Sequence, residues 1–200
     1  MKIYDISQEV FSCSVYPGDP APKRERLCTM EQGALYNLTA FSMCAHNGTH
    51  VDAPFHFLKD GKTVEQIPQE QVVGYAFVST HEGELSSEDA VRILREAKSR
   101  LPESAKRILI RGNALVTLPA AEVFAQAGIF LLGVESQSVG PEDAPMAVHL
   151  ALLRKDVVLL EGLRLSAVED GVYFLSAMPL FLAGADGAPC RAILVDFENG

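Results

Sequence analysis

The stretch His46-Asn47-Gly48-Thr49-His50-Val51-Asp52-Ala53-Pro54-Phe55-His56-Phe57 holds three of the chain's five histidines, together with an aspartate. Histidine and carboxylate are side chains that bind a divalent transition ion while leaving exchangeable positions on it. Residues 46, 50, 52 and 56 share parity, so a fully extended segment would send all four side chains to one face. Extension alone cannot make them converge. At ~3.3 Å per residue His46 and His50 would stand roughly 13 Å apart, and an ion with ligands at about 2 Å could not reach both. The chain must fold back, and Asn47-Gly48 has turn chemistry at the right place. A helix would bring 46 and 50 together at i, i+4, but Gly48 and Pro54 oppose one. The reading is a turn, then a short extended run, with Pro54 stiffening the exit. Four extended residues beyond Asp52 carry His56 roughly 13 Å away, between Phe55 and Phe57. His56 is therefore the furthest of the four candidate ligands, with a pocket acid/base overlooking the ion as its other reading.

The rest of the composition sets bounds. A chain of 200 residues is read as one domain, 1–200, long enough for a substantial core. Apolar content of 48% with 22% charged residues excludes general disorder. A net charge of −9 and a pI near 5.0, without Lys/Arg clusters, argue against nucleic acid and anionic membranes as partners. Met1-Lys2-Ile3-Tyr4-Asp5 lacks the pattern of a signal peptide, and no apolar run reaches spanning length, so a cytoplasmic protein is expected. Cys13, Cys28, Cys44 and Cys190 form no C-x-x-C pair and are read as reduced thiols. Cys44 stands two residues before His46, within reach of a site, although a small buried side chain is the simpler reading.

In chain order, residues 3–10 read as a first strand and Tyr16-Pro17-Gly18-Asp19-Pro20 as a turn. An edge strand is expected around 24–30, and Leu35 to Ala45 as a strand leading into the histidines. Gly61 to Gln71 reads as loop with a short helical turn. Val72 to Val78 is a buried strand. Ser86 with Asp89 approximates a capping box for a helix to Arg100, with Ala90, Ile93, Leu94 and Ala97 as its apolar stripe. Pro102 ends it. Arg107 to Arg111 is a strand, Pro119 opens a helix to Ala127 that Gly128 closes, and Ile129 to Val134 is a strand. Ser136 to Pro145 is a loop. Met146 to Lys155 is a helix carrying His149, and Val157 to Leu160 a strand ending at Glu161-Gly162. The tail reads as strands over Tyr173–Leu182 and Arg191–Phe197 around a Gly184-Ala185-Asp186-Gly187 turn. Alternating strands and helices of this length predict an α/β core with some parallel pairing. No G-x-S-x-G occurs, which weakens a serine-hydrolase reading.

HNGTHVDAPFHF resembles the HxGTHxDxPxHF signature of the metal-dependent cyclase family, which includes bacterial kynurenine formamidase and isatin hydrolase. GVESQSVGPEDAPMAVHLALLRKDVVLLEGL resembles that family's second block, and Gly184 to Arg191 its closing turn, so the likeness covers nearly the whole chain. It implies the swivelling β/β/α fold of that family. It also implies His46, His50, Asp52, His149 and Glu161 as metal ligands, His56 as the acid/base, and a homodimer. The family's YPGD segment matches Tyr16 to Asp19 and suggests a loop that lines the site. One departure stands out. Where family members carry Asp in an SVDP-like element, this chain has Ser138-Val139-Gly140-Pro141, in the loop expected to face substrate.

The activity implied is metal-dependent hydrolysis of a C–N bond, as an arylformamidase of tryptophan catabolism acting on N-formylkynurenine. Ring opening of a cyclic amide or imide, as isatin hydrolase performs, is the alternative. A non-catalytic metal- or small-ligand-binding protein is the reading from another class, and a closed coordination sphere would favour it. The donor set suits one or two ions, Zn²⁺ first and Mn²⁺ second. Phe41, Phe55 and Phe57 are candidates for an apolar wall receiving an aryl group, with ordinary core as the simpler role.

Overall fold

The computed structural model describes residues 1–141 and 144–197. Glu142 and Asp143 of the expected Ser136–Pro145 loop lie outside the described residues. In chain order the strands are β1 (Lys2–Asp5), β2 (Lys23–Cys28), β3 (Leu38–Ser42), β4 (His50–Asp52), β5 (Val73–Thr80), β6 (Gly83–Leu85) and β7 (Arg107–Arg111). They continue as β8 (Ala114–Val116), β9 (Leu131–Val134), β10 (Val158–Glu161), β11 (Gly171–Ser176), β12 (Gly187–Pro189) and β13 (Ile193–Asp196). The α-helices are α1 (Gln69–Val72), α2 (Ser87–Arg100), α3 (Leu118–Gln126) and α4 (Met146–Leu153).

Among the described residues, nine strands form one sheet in the order β1-β13-β11-β5-β7-β9-β10-β4-β12. Its centre, β5-β7-β9-β10, is parallel and added in sequence order. Right-handed crossovers that step in one direction put every connecting helix on the same face. Accordingly Ile108, Ile110, Leu132 and Leu159 pack with the apolar sides of α2, α3 and α4. The alternate residues Leu109, Leu131, Val158 and Leu160 point the other way. There they meet Val51 of β4 and Leu194 of β13, from opposite ends of the strand order, so the sheet is curled around this second cluster. Burial on both faces is why these strands read as continuous apolar runs rather than alternating ones.

Local signals account for the element ends. Ser86 Oγ accepts from Asp89 N at 3.2 Å, and Asp89 Oδ2 accepts from Ser86 N at 3.2 Å, completing the capping box of α2. Such a cap is worth about 1 kcal/mol. Thr117 caps α3, and Gly128, at φ 66°, turns the chain out of it. One expectation is corrected. The first strand stops at Asp5, because Ile6 turns inward and the chain enters a 3₁₀ turn at Val10–Ser12. The apolar run before the histidines does form a strand, and among the described residues this β3 pairs only with β2, in a ribbon separate from the main sheet, with most of its side chains exposed.

Candidate metal centre

Strand β4 lies between β10 and β12, antiparallel to both. The register sets His50 opposite Glu161 and Asp52 opposite Leu159. Paired residues project from the same face of a sheet. Leu159 packs on the helix side, so His50, Asp52 and Glu161 point there too. Helix α4 covers that face and carries His149 down to them. His46 reaches the same point by the turn expected at Asn47-Gly48. Gly48 has φ 65°, Asn47 Oδ1 accepts from Cys44 N at 2.8 Å, and Gln137 Nε2 donates to the carbonyls of His46 (2.9 Å) and Gly48 (2.8 Å).

The exit from this stretch differs from expectation. Pro54–His56 is a 3₁₀ turn, not an extended segment. Proline's fixed φ of about −65° suits the first residue of a helical turn as well as it suits extension, and here the His56 N–H donates to Ala53 O at 2.9 Å. His56 therefore curls back. Its ring stacks on His46 with centroids 4.1 Å apart, and its Nε2 lies 4.0 Å from Asp52 Oδ2.

All six residues singled out from sequence thus meet in one place. Asp52 is at the middle, 1% exposed, with His46 Nδ1 at 2.8 Å, His50 Nε2 at 3.3 Å and His149 Nε2 at 3.7 Å. Glu161 Oε2 and Oε1 lie 3.4 Å from His50 Nε2 and His149 Nε2, and Val139 N donates to Oε1 at 2.7 Å. The outer nitrogens of two imidazoles are spoken for. His50 Nδ1–H donates to Gly48 O at 2.9 Å and His149 Nδ1–H to Pro145 O at 2.8 Å, which turns both Nε2 lone pairs inward.

This donor set fits a cation. His50 Nε2 and Asp52 Oδ2 are buried without a hydrogen-bond partner, a costly arrangement unless something else satisfies them. Among the described residues, the ionic partners of Asp52 and Glu161 are all histidines. Three groups place ligating atoms within 4.8 Å of one another: His46/His50/Asp52 and Asp52/His149/Glu161, which share the buried Asp52, and the less buried His46/His56/Asp186. Without an ion, protons must do the same work. Burial pulls the His50 pKa down, but the Asp52 and Glu161 carboxylates overcome it and push it up to about 10. His149 is raised in the same way, chiefly by Glu161 against burial, and His46 by Asp52 against burial. Asp52 is held well below the usual carboxylate range because its histidines outweigh its burial. His56 goes the other way: burial dominates and lowers it.

The centre opens into a cleft of about 390 Å³. Tyr16 and Asp19 of the expected turn line it, as does Cys44, whose thiol donates to Asp19 Oδ2 at 3.7 Å. Of the three candidate wall phenylalanines only Phe57 lines this cleft, stacked on His149 at 4.5 Å. Phe55 and Phe41 are 39% and 58% exposed, so they are neither wall nor core. A larger cavity of about 690 Å³ borders Phe41 but contains none of the clustered histidines. Gly140 does not line the cleft of the centre. It is buried, and a Cβ there would fall 2.9 Å from Pro145 Cα, so Gly140 itself packs against the start of α4, while Gln137 and Ser138 just before it line the cleft. Sequence reasoning missed Asp186, whose Oδ2 lies 2.8 Å from His46 Nε2 and 3.2 Å from His56 Nδ1. Its location in a Gly-Ala-Asp-Gly turn gave only a turn signal. Its remoteness from the histidines, at 140 residues from His46, hid the rest.

Fold and site define an α/β protein with a buried histidine–carboxylate centre open to a cleft. Residues 4–141 match the family described as "Putative cyclase", and the chain belongs to that family. A relative named kynurenine formamidase, from Bacillus cytotoxicus, is 36% identical over 204 residues, covering 95% of each chain. The solved structure of a "predicted metal-dependent hydrolase from Bacillus stearothermophilus" superposes with a TM-score of 0.77 at 26% identity, covering 96% of this chain and 97% of that one. Isatin hydrolase A from Labrenzia aggregata shares the fold, with a TM-score of 0.79 at 21% identity, covering 97% and 93%.

Binding of an ion at this centre is a proton-releasing event, because the inward nitrogens must lose their protons. Ion-free protein titrated with Zn²⁺ at pH 7 in weak buffer should acidify the solution, and affinity should weaken as pH falls. In the ion-free protein the stability from charged His50 is complete below about pH 6.5 and lost as pH rises through about 10. His149→Ala and Glu161→Ala should each lower the bound metal. Stoichiometric binding with no proton release, and with metal content unchanged in both variants, would contradict this.

Proposed function

We propose that the chain is a metal-dependent amidohydrolase that removes the formyl group from an aryl formamide, N-formylkynurenine first among them. The observation that carries the reading is that His46, His50, His149 and Glu161 of the donor cluster line an open cleft together with His56. A closed coordination sphere would fit storage or structure; an open one fits hydrolysis. The identity to a relative named kynurenine formamidase supports the substrate class. His46, His50, Asp52, His149 and Glu161 are the metal ligands in this reading, for one or two ions, with Zn²⁺ preferred and Mn²⁺ next. A divalent ion there supplies Lewis acidity, lowering the pKa of a water to about 7 and polarising a carbonyl.

The protein's own part is positioning and proton transfer. Burial keeps His56 neutral near pH 7, and its Nε2 faces the cluster, so it can accept a proton. His56 takes that proton from the water that attacks the formyl carbon. As the C–N bond breaks, the same proton goes to the departing nitrogen, giving formate and an aryl amine. Such acid–base catalysis contributes about 10²–10⁴-fold. Phe57 is the apolar surface nearest the cluster for an aryl ring.

The ribbon β2–β3 supports a homodimer. A two-stranded hairpin is marginal by itself, and this one carries Leu35, Tyr36, Phe41 and Met30 at 93%, 60%, 58% and 57% exposure. A second copy of the chain is the cover proposed. Sedimentation equilibrium should give twice the chain mass, and Leu38→Glu with Phe41→Glu should shift it to the monomer. A wild-type monomer at micromolar concentration would sink this.

Metal-reconstituted protein should release formate from N-formylkynurenine or a simpler aryl formamide. His56→Ala should keep its metal and its fold while kcat falls by about 10²–10⁴-fold. His46→Ala and His50→Ala should lose metal. No formate, with ring opening of isatin or a cyclic imide instead, would move the assignment to that chemistry. A His56→Ala protein that loses metal as fully as His50→Ala would make His56 a ligand.

A further inference from the structure

One carboxylate faces the centre without belonging to the proposed ligand set. Asp186 sits on the Gly184–Gly187 turn, and that turn is fixed on several sides. Gly184 N donates to Glu65 Oε2 at 3.1 Å, Val64 N to Ala185 O at 2.9 Å, and Ala53 N to Asp186 O at 2.9 Å. Strand β12 then pairs with β4, placing Gly187 opposite Asp52. The neighbouring residue is fitted to the same end. A Cβ on Gly187 would fall 2.7 Å from His46 Cε1, so the imidazole occupies the space a side chain would need. The turn therefore makes room for His46 with one residue and contacts it with the one before.

Resting on the amidohydrolase reading, we propose that Asp186 is the positioning residue for the two stacked histidines, His46 and His56. Its Oδ2 accepts from His46 Nε2–H and from His56 Nδ1–H. In a neutral imidazole only one nitrogen carries a hydrogen. Holding that hydrogen on the Asp186 side leaves the lone pair of His46 Nδ1 aimed at the Asp52 side, where a cation ligand is needed. It likewise leaves the lone pair of His56 Nε2 aimed into the cluster, where a base is needed. One carboxylate thus selects the productive tautomer of both a ligand and the proton carrier, across two segments of chain far apart in sequence. A carboxylate behind a histidine fixes its orientation and tautomer in this way, and losing it costs about 10–100-fold in affinity or activity.

The test uses zinc-reconstituted wild type, Asp186→Asn and Asp186→Glu. An asparagine can present its NH₂ to His56 Nδ1 and so favour the opposite tautomer. Long-range ¹H–¹⁵N spectra of the imidazoles should show His56 protonated at Nδ1 in wild type and at Nε2, at least in part, in Asp186→Asn. At saturating zinc the variant should keep full metal stoichiometry. With an aryl formamide its kcat should fall about 10–100-fold at little-changed KM, and Asp186→Glu should recover part of the loss. Loss of zinc as complete as in His50→Ala would make Asp186 a ligand and overturn the proposal. So would an unchanged His56 tautomer, or a raised KM at unchanged kcat, which would mark a substrate contact. If wild type cleaves no aryl formamide, the functional reading fails on that result alone, and the tautomer spectra still decide the role of Asp186.

Discussion

A buried carboxylate is the constraint on which this structure turns. Asp52 is almost fully enclosed, and the side chains around it are histidines rather than Lys or Arg. An ion in such a place costs on the order of several kcal/mol unless it is compensated. Neutral imidazoles compensate only if a proton or a cation sits among them. Much of the architecture can be read as a means of assembling that arrangement. Strand β4 has three residues and could not hold a position alone. Two antiparallel neighbours fix its register, the curled sheet buries Val51 behind it, and α4 closes the front with His149.

The backbone nearby is shaped to the same end. Gly162 has φ 69°, and a Cβ there would fall 2.3 Å from Gly48 O. The turn after Glu161 and the turn before His50 are therefore in direct contact. Gln8 and Thr49 both donate to Gly162 O, and Gln137 clamps the histidine turn from above. The two groups of donors, a hundred residues apart in the chain, are held as one body.

What was legible in the sequence was local. The density of histidines in 46–57 pointed to the centre, Ser86 and Asp89 announced α2, and uninterrupted apolar runs marked the parallel strands. What was not legible depended on tertiary contact. Pro54 is equally compatible with extension and with a 3₁₀ turn, and the turn adopted here is the one that brings Phe57 against His149. The apolar run of β3 marked a strand, but nothing in it told that the strand belongs to a separate, exposed ribbon. His149 and Glu161 carried no signal by themselves, and their assignment came from resemblance; α4 and β10 bring them to Asp52. They also lie outside residues 4–141, which the family description matches, as does Asp186. Gly140, the departure in the loop expected to face substrate, packs against Pro145 and Val148 at the start of α4, while Gln137 and Ser138 of the same loop line the cleft.

The centrality of Asp52 is tested most directly by anomalous diffraction from crystals of the zinc-loaded protein, measured on both sides of the zinc absorption edge. Density is expected within the His46/His50/Asp52 and Asp52/His149/Glu161 groups, at one or both, with Asp52 as a ligand in either case and His56 off the ion. Density centred on His46, His56 and Asp186, or none near Asp52, would contradict it.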